Sequence, residues 1–175
     1  MPRYVRAHIA GGTFFFTAAL LERRRALLTT HIDLLREAFR AAKQRHPFSI
    51  DAIVILPDHF HAVWTLPPGD ADFSTRMRLI KSTFSRNLPK TERRSAIRAE
   101  RNERGIWQRR FWEHAIRDEE DLKRHVDYIH YNPVKHGHVR NVIDWPHSTF
   151  HRYVTAGIYP DDWAGTAEVM RDERE

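Results

Sequence analysis

The sequence contains no cysteine. That excludes a disulfide framework and thiolate chemistry, and it leaves any metal to His, Asp, Glu, Asn, Gln or Tyr. Long apolar runs are also missing; none approaches the roughly 18 residues of a transmembrane helix, so no membrane partner is expected. The opening residues, Met1-Pro2-Arg3-Tyr4-Val5-Arg6, lack the apolar centre of a signal peptide, and the cytoplasm, in contact with the nucleoid, is the expected compartment. No internal repeat is visible. Acidic residues are in deficit: 23 Asp and Glu stand against 29 Lys and Arg, for a net charge of +6 and a pI near 10.0.

What is present suits one domain with extensions: 175 residues, 41% hydrophobic and 30% charged. The basic excess is not spread evenly. Between Arg76 and Arg110 there are twelve Lys or Arg and three Glu, a larger surplus than the whole chain carries. A segregated basic stretch is the electrostatic signature of a phosphate-backbone binder.

Along the chain, Arg3, Tyr4, Arg6 and His8 form an arm that ends in a flexible Gly11-Gly12 hinge. Thr13 to Ala18 reads as a first strand, with three phenylalanines that suit coverage on both faces. Leu20 to Gln44 is helical, breaking near Thr29-Thr30, with Leu27, Leu28, Ile32, Leu35 and Phe39 at helical spacing. Phe48 to Leu56 and His59 to Leu66 are two strands joined tightly around Pro57-Asp58. Phe73 to Leu88 is helical, capped by Asp72 or Ser74, with Arg76, Lys81 and Arg86 near its solvent side. Pro89 to Gly105 is a polar linker or frayed helix. Ile106 to Ile116 returns to strand character, mixing Trp107 and Trp112 with Arg109 and Arg110, either as a base-stacking surface or with aromatics in and cations out. A helix begins near Asp118, where Asp118 to Asp121 favour its N-terminal dipole. The pattern is strand, helix, strand, strand, helix, strand, helix. It predicts an α+β fold of ferredoxin-like split βαβ type, an antiparallel sheet with helices mainly on one face. Residues 1–140 form the main domain, and 141–175, with Trp145, Tyr153, Tyr159 and Trp163, an extension that folds back on it.

Two constellations carry chemistry. On the third strand His59 and His61 share one face while Phe60, Ala62 and Trp64 share the other. Imidazoles so spaced, about 6–7 Å apart at Cβ, can lean onto one ion, although a surface or hydrogen-bonded pair has the same spacing. On the last helix Asp121, His125, Tyr128 and Asn132 lie at i, i+4, i+7 and i+11 along one face, beside the apolar stripe Leu122, Val126, Ile129. Tyr128 alone is also compatible with an ordinary half-buried tyrosine. Pro133 biases Asn132 away from helical dihedrals and can end the helix there, making Asn132 the cap of a new turn.

Asp58-His59-Phe60-His61 and His125-Val126-Asp127-Tyr128-Ile129-His130-Tyr131-Asn132-Pro133-Val134-Lys135-His136-Gly137 together resemble the REP-associated tyrosine transposases, in the single-tyrosine branch of the HUH endonucleases. Gly11 to Thr17, Ile106 to His114 and Trp145 to His151 are similar to further signatures of that family, in the same order. The resemblance implies that His59 and His61 are metal ligands, Asn132 the amide that supplies a third, and Tyr128 the nucleophile. It also ties recognition of palindromic repeat hairpins to the basic surface and N-terminal region; on charge and aromatic placement the candidate DNA contacts of this chain are Arg3, Arg6, Arg76, Lys81, Arg86, Arg109, Arg110 and Trp107.

The implied reaction is metal-dependent cleavage and strand transfer of single-stranded DNA through a 5′-phosphotyrosine. Mn²⁺ or Mg²⁺ suits mixed imidazole and oxygen ligands, with zinc a third option. Asp121, His125 or water would assist the phenol's proton. A monomer is expected. Two other readings compete: a hairpin-DNA-binding protein without cleavage, and a metal-dependent hydrolase with no covalent step.

Overall fold

The computed structural model describes residues 5–90 and 93–171. The elements follow in order as β1 (Thr13–Ala19), α1 (Leu27–Thr30), α2 (Ile32–Arg45), β2 (Ser49–Ile55), β3 (His59–Thr65), α3 (Phe73–Asn87), α4 (Ala96–Glu100), β4 (Trp112–Ala115), α5 (Glu119–Lys135), α6 (Phe150–Thr155) and α7 (Ala167–Met170). The four strands form one antiparallel sheet in the order β2-β3-β1-β4. β1 and β2 both run against β3, which lies between them, so β1-α2-β2 is a split βαβ unit.

β3 is central, and its alternation divides the molecule. Phe60, Ala62 and Trp64 meet Phe14, Phe16 and Ala18 of β1 and are covered by Leu35, Ala38 and Phe39 of α2 and Phe73, Met77, Ile80 and Phe84 of α3. The opposite face carries His59, His61 and Val63. It is covered by α5, through Val126, Tyr128 and Ile129. The α2–α3 layer holds most of the helical mass, and α5 alone of the long helices lies on the histidine face.

Local chemistry sets the element ends. Asp72 caps α3 by accepting from Thr75 N at 2.9 Å, and Asp118 caps α5 by accepting from Asp121 N at 2.8 Å. The helix expected from Leu20 begins only at Leu27, after a bridge at Leu20 and a 3-10 turn at Arg23–Arg25, and it is broken at His31, one residue past the expected point. Two expectations need correction. Gly11-Gly12 is not a loose hinge: Gly11, at φ +66°, donates its N–H to Asp70 O at 2.8 Å, which pins the entry to β1. α5 does not stop at Asn132 but runs through Pro133 to Lys135, with His136 N still bonding Asn132 O at 3.0 Å. Burial of Asn132 and Pro133 holds the turn against the local preference.

Beyond α5 the chain returns along the free side of β2. Ile55 N bonds His147 O at 2.9 Å, Thr149 N bonds Ile53 O at 3.0 Å, and Trp145 Nε1 donates to Ile55 O at 3.0 Å. These bonds occupy what would otherwise be an open sheet edge. Behind them His130, fully buried, bonds Thr149 Oγ1 at 2.8 Å. Burial pushes its pKa down to about 3, so it stays neutral.

Candidate active site

The sheet register assembles the site. Opposed residues in an antiparallel pair share a face. β1 pairs with β3 as Thr17↔His61, Ala19↔His59 and Phe15↔Val63, and with β4 as Phe15↔His114 and Thr17↔Trp112. Ala19, Thr17, Phe15, His59, His61, Trp112 and His114 therefore all project from one face. α5 crosses that face and contributes His125 and Tyr128. Between them lies a cavity of about 490 Å³, lined by Thr17, Arg23, His59, Trp112, His125 and Tyr128 among others.

The histidine pair is oriented from behind. His61 Nδ1 lies 2.7 Å from Thr17 Oγ1, and His59 Nδ1 lies 2.7 Å from Asp58 Oδ1. Asp58 is itself held by Arg23 Nε at 2.5 Å. Burial raises the Asp58 pKa, but the bonds to His59 and Arg23 outweigh it and keep this carboxylate ionised well below its usual range. With each Nδ1 engaged, Nε2 is the nitrogen through which either ring would reach an ion. Partners of this kind behind ligand histidines fix ring orientation and raise basicity. The two ring centroids are 4.9 Å apart, with the rings nearly perpendicular at 82°.

Tyr128 reaches the same place. Its ring centroid is 5.2 Å from that of His61, edge to face, and 6.0 Å from Phe15. Asn132, one turn along the same helix face, is fully buried. The structure thus brings Tyr128 onto the histidine pair, and the i, i+4, i+7 and i+11 line of α5 is turned to the sheet as its spacing suggests.

At the other end of the cavity Asp121 and His125 stand with His114. The ligand-type atoms of these three lie within 4.8 Å of one another. His114 Nε2 bonds Asp121 Oδ2 at 2.8 Å, the two imidazoles stack at 4.7 Å, and His125 Nδ1 lies 2.7 Å from Asp121 O. Arg117 N donates to the Asp121 carboxylate at 3.0 Å and Arg124 approaches it at 3.3 Å. Burial raises the Asp121 pKa, but bonds from His114 and Arg117 more than offset this and hold the group anionic. Its charge is already compensated, so the cluster reads as an ion-paired wall of the cavity.

The expected DNA-contact residues divide. Arg3 lies outside the described residues. Arg86, Arg109 and Arg110 are exposed, with Arg109 paired to Glu103 at 3.3 Å. Arg6 is half-buried, its guanidinium 4.0 Å from the Phe111 ring centroid. Lys81 is half-buried, donating to Gln108 O at 2.7 Å. Burial and the nearby Arg6 push its pKa down to about 8.

Two assignments are overturned. Arg76 is not at the solvent side of α3: it is 1% exposed and donates to Pro47 O, Asp72 O and Asp70 Oδ2, each at 2.7 Å, and to His46 O at 3.1 Å. It ties the β2 entry to the start of α3, with four of its five N–H groups committed and the guanidinium buried away from any phosphate. Trp107 is 7% exposed and donates Nε1 to Lys81 O at 3.1 Å, with its ring against Phe60 and Phe84. The expected strand from Ile106 exists only as a single bridge between Trp107 and Leu20; the regular pairing resumes at Trp112. Trp112, 59% exposed, is the tryptophan that the cavity presents to solvent. The sequence places Trp112 in a candidate stacking surface but not among the chosen DNA contacts, and gives His114 no site role. Their i, i+2 spacing on one strand was the available signal.

The chain and its fold are similar to known proteins. Residues 16–132 match the family described as "Transposase IS200 like", which makes the chain an IS200-like transposase. The REP-associated tyrosine transposase of Escherichia coli (strain K12) is 52% identical over 165 residues, covering 94% of this chain and 92% of the relative. A Haemophilus influenzae (strain ATCC 51907 / DSM 11121 / KW20 / Rd) protein, provisionally given the same name, is 48% identical and covers 97% of both. The solved structure of a REP-associated tyrosine transposase bound to a REP hairpin superposes with a TM-score of 0.83 at 50% identity, covering 98% of this chain and 94% of that one. Within the IS200-like family, the chain belongs to the REP-associated tyrosine transposases.

Proposed function

We propose that this transposase cuts and rejoins single-stranded DNA beside a REP-type hairpin, through a covalent link between Tyr128 and the 5′-phosphate. The observation that carries this reading is the placing of Tyr128 against the histidine pair: its ring centroid is 5.2 Å from that of His61, and it lines one cavity with His59. The hairpin as substrate follows from the relative whose structure holds one.

His59, His61 and Asn132 would hold a divalent ion, Mn²⁺ or Mg²⁺, and the donor set fits: two imidazoles oriented through Nδ1 and a buried amide on the facing helix. When bound, such an ion polarises the phosphorus and offsets charge on a nonbridging oxygen. Tyr128 supplies the nucleophile. Its phenol oxygen bonds to phosphorus, the P–O3′ bond breaks, and the proton lost by the phenol is balanced by the one the 3′ oxygen gains. The products are a 5′-phosphotyrosine and a 3′-OH. Phosphodiester energy is conserved, so the reverse attack by another 3′-OH needs no nucleotide cofactor.

Tyrosine titrates near 10 in water, so the proton needs an acceptor. His125 is the better placed of the two expected candidates: it shares the cavity with Tyr128 and has Nδ1 against Asp121 O, whereas Asp121 is saturated by His114, Arg117 and Arg124. Trp112, beside His114 on the cavity rim, offers a face for an unstacked base. Arg86, Arg109 and Arg110 supply phosphate contacts that position the hairpin without reading its sequence. Nucleophile and histidines come from one chain, so a monomer is sufficient.

The test is incubation with end-labelled single-stranded DNA carrying a REP hairpin and its flanks, with Mn²⁺, followed by denaturing electrophoresis. A protein–DNA adduct that Tyr128→Phe abolishes, with hairpin binding retained, is expected. Cleavage surviving in Tyr128→Phe would favour a hydrolase without a covalent step. Hairpin binding with no cleavage by wild type would favour a binding-only protein.

A further inference from the structure

Lys135 closes α5, seven residues beyond Tyr128 on the same helix face. Helical side chains lean toward the N-terminus, and that of Lys135 runs back along the helix until its Nζ lies 4.8 Å from the Tyr128 ring centroid, over the face of the ring. The Nζ atom is shielded from solvent and has no hydrogen-bond partner among the described residues. A lysine in the last helical turn ordinarily serves the dipole from the surface, with its ammonium in water. Here the charge is drawn inward onto a phenol, where cation–π attraction replaces only part of its lost hydration. A cation held under-solvated beside a nucleophile awaits an anion.

Resting on the reading of Tyr128 as nucleophile, we propose that Lys135 is a catalytic residue that binds a nonbridging oxygen of the phosphate under attack and keeps hold of it in the phosphotyrosine. The phosphate carries one negative charge in both states, so one ammonium serves both the forward cut and the reverse joining. Tyr128, Asn132 and Lys135, at i, i+4 and i+7, then form one line of nucleophile, amide and cation along α5. The line depends on the helix continuing through Pro133; an end at Asn132 would swing Lys135 out of register.

The experiment uses the full chain and a single-stranded oligonucleotide carrying a REP hairpin with its flanks, prepared as a set in which one flank linkage at a time is a neutral methylphosphonate. In a Tyr128→Phe background only binding is read. Lys135→Met is expected to reduce the slope of log Kd against log salt by about 0.7, the counterion released by one contact on a single strand. The reduction should vanish on the one oligonucleotide whose neutral linkage is the partner of Lys135. With Tyr128 restored, Lys135→Met should slow adduct formation on the order of 100-fold, with partial recovery in Lys135→Arg. The melting temperature of Lys135→Met should hold or rise, because a buried unpaired charge is removed; Lys135→Gln substitutes if the Met variant does not fold. An unchanged slope, or a reduction that persists on every oligonucleotide of the set, overturns the proposal. A wild type that forms no adduct contradicts the transferase reading but leaves the slope comparison intact, so the two failures are told apart.

Discussion

The two faces of β3 are built from the same seven residues and do opposite work. Phe60, Ala62 and Trp64 are fully buried among aromatic and aliphatic neighbours from α2 and α3. His59 and His61, one residue out of phase, are as deeply buried but meet Thr17, Asp58 and Tyr128. The first face gains by excluding water. The second spends polar burial on orientation, every imidazole braced from behind. The contrast teaches that burial here does not separate core from site; what separates them is whether the neighbours are apolar or hydrogen-bonding.

The comparison can be broken from either side. The largest effect should come from Tyr128→Phe, which removes only the oxygen that would bond to phosphorus: adduct formation is abolished, while the thermal unfolding midpoint barely moves. Trp64→Ala should do the reverse. It leaves a cavity in the aromatic layer and costs about 3–5 kcal/mol, read by urea unfolding.

A third test concerns the return segment. His130 is neutral in the folded chain, with its pKa pushed down to about 3 by burial, against 6.5 when free. Between those values the unfolded chain binds a proton that the folded chain refuses, so stability should fall as pH drops from 6.5 toward 3, at up to about 1.4 kcal/mol per pH unit. His130→Leu should flatten that slope by one proton in denaturation curves across the range.

Thr17→Val is a subtler break, removing the hydroxyl at 2.7 Å from His61 Nδ1 and leaving the strand intact. Adduct formation should fall roughly 10–100-fold, with a higher Mn²⁺ requirement. The smallest effect belongs to the exposed cations: Arg110→Ala should lower the salt slope of hairpin binding by about 0.9 and leave cleavage of saturated substrate unchanged.

Much of this was legible in the sequence, for reasons of periodicity. The split βαβ order, the i, i+2 spacing of His59 and His61, and the polar line of α5 are local patterns that survive folding unchanged. The position of Arg76 held the answer: with Ile80 at i+4 and Phe84 at i+8 it stands inside the core stripe rather than beside it. Its burial depends on carbonyls at His46 and Pro47, thirty residues away in the chain, which no helical wheel displays. The irregular stretch at 108–111 separates the bridge at Trp107 from β4, so strand alternation does not carry from one to the other and the sequence cannot tell which tryptophan is exposed. The places of Thr17 and His114 in the site follow from strand register and pairing, which become visible only once β1, β3 and β4 are aligned.

The central claim is chemical: the phenol of Tyr128 becomes joined to DNA at the histidine pair. Proteolysis of the denaturation-resistant adduct, with mass spectrometry of the nucleotide-bearing peptide, tests it most directly. The account predicts a single modified peptide carrying a 5′-phosphoryl nucleotide on Tyr128. Modification at Tyr131, Tyr153 or another residue, with Tyr128 recovered unmodified, would contradict it.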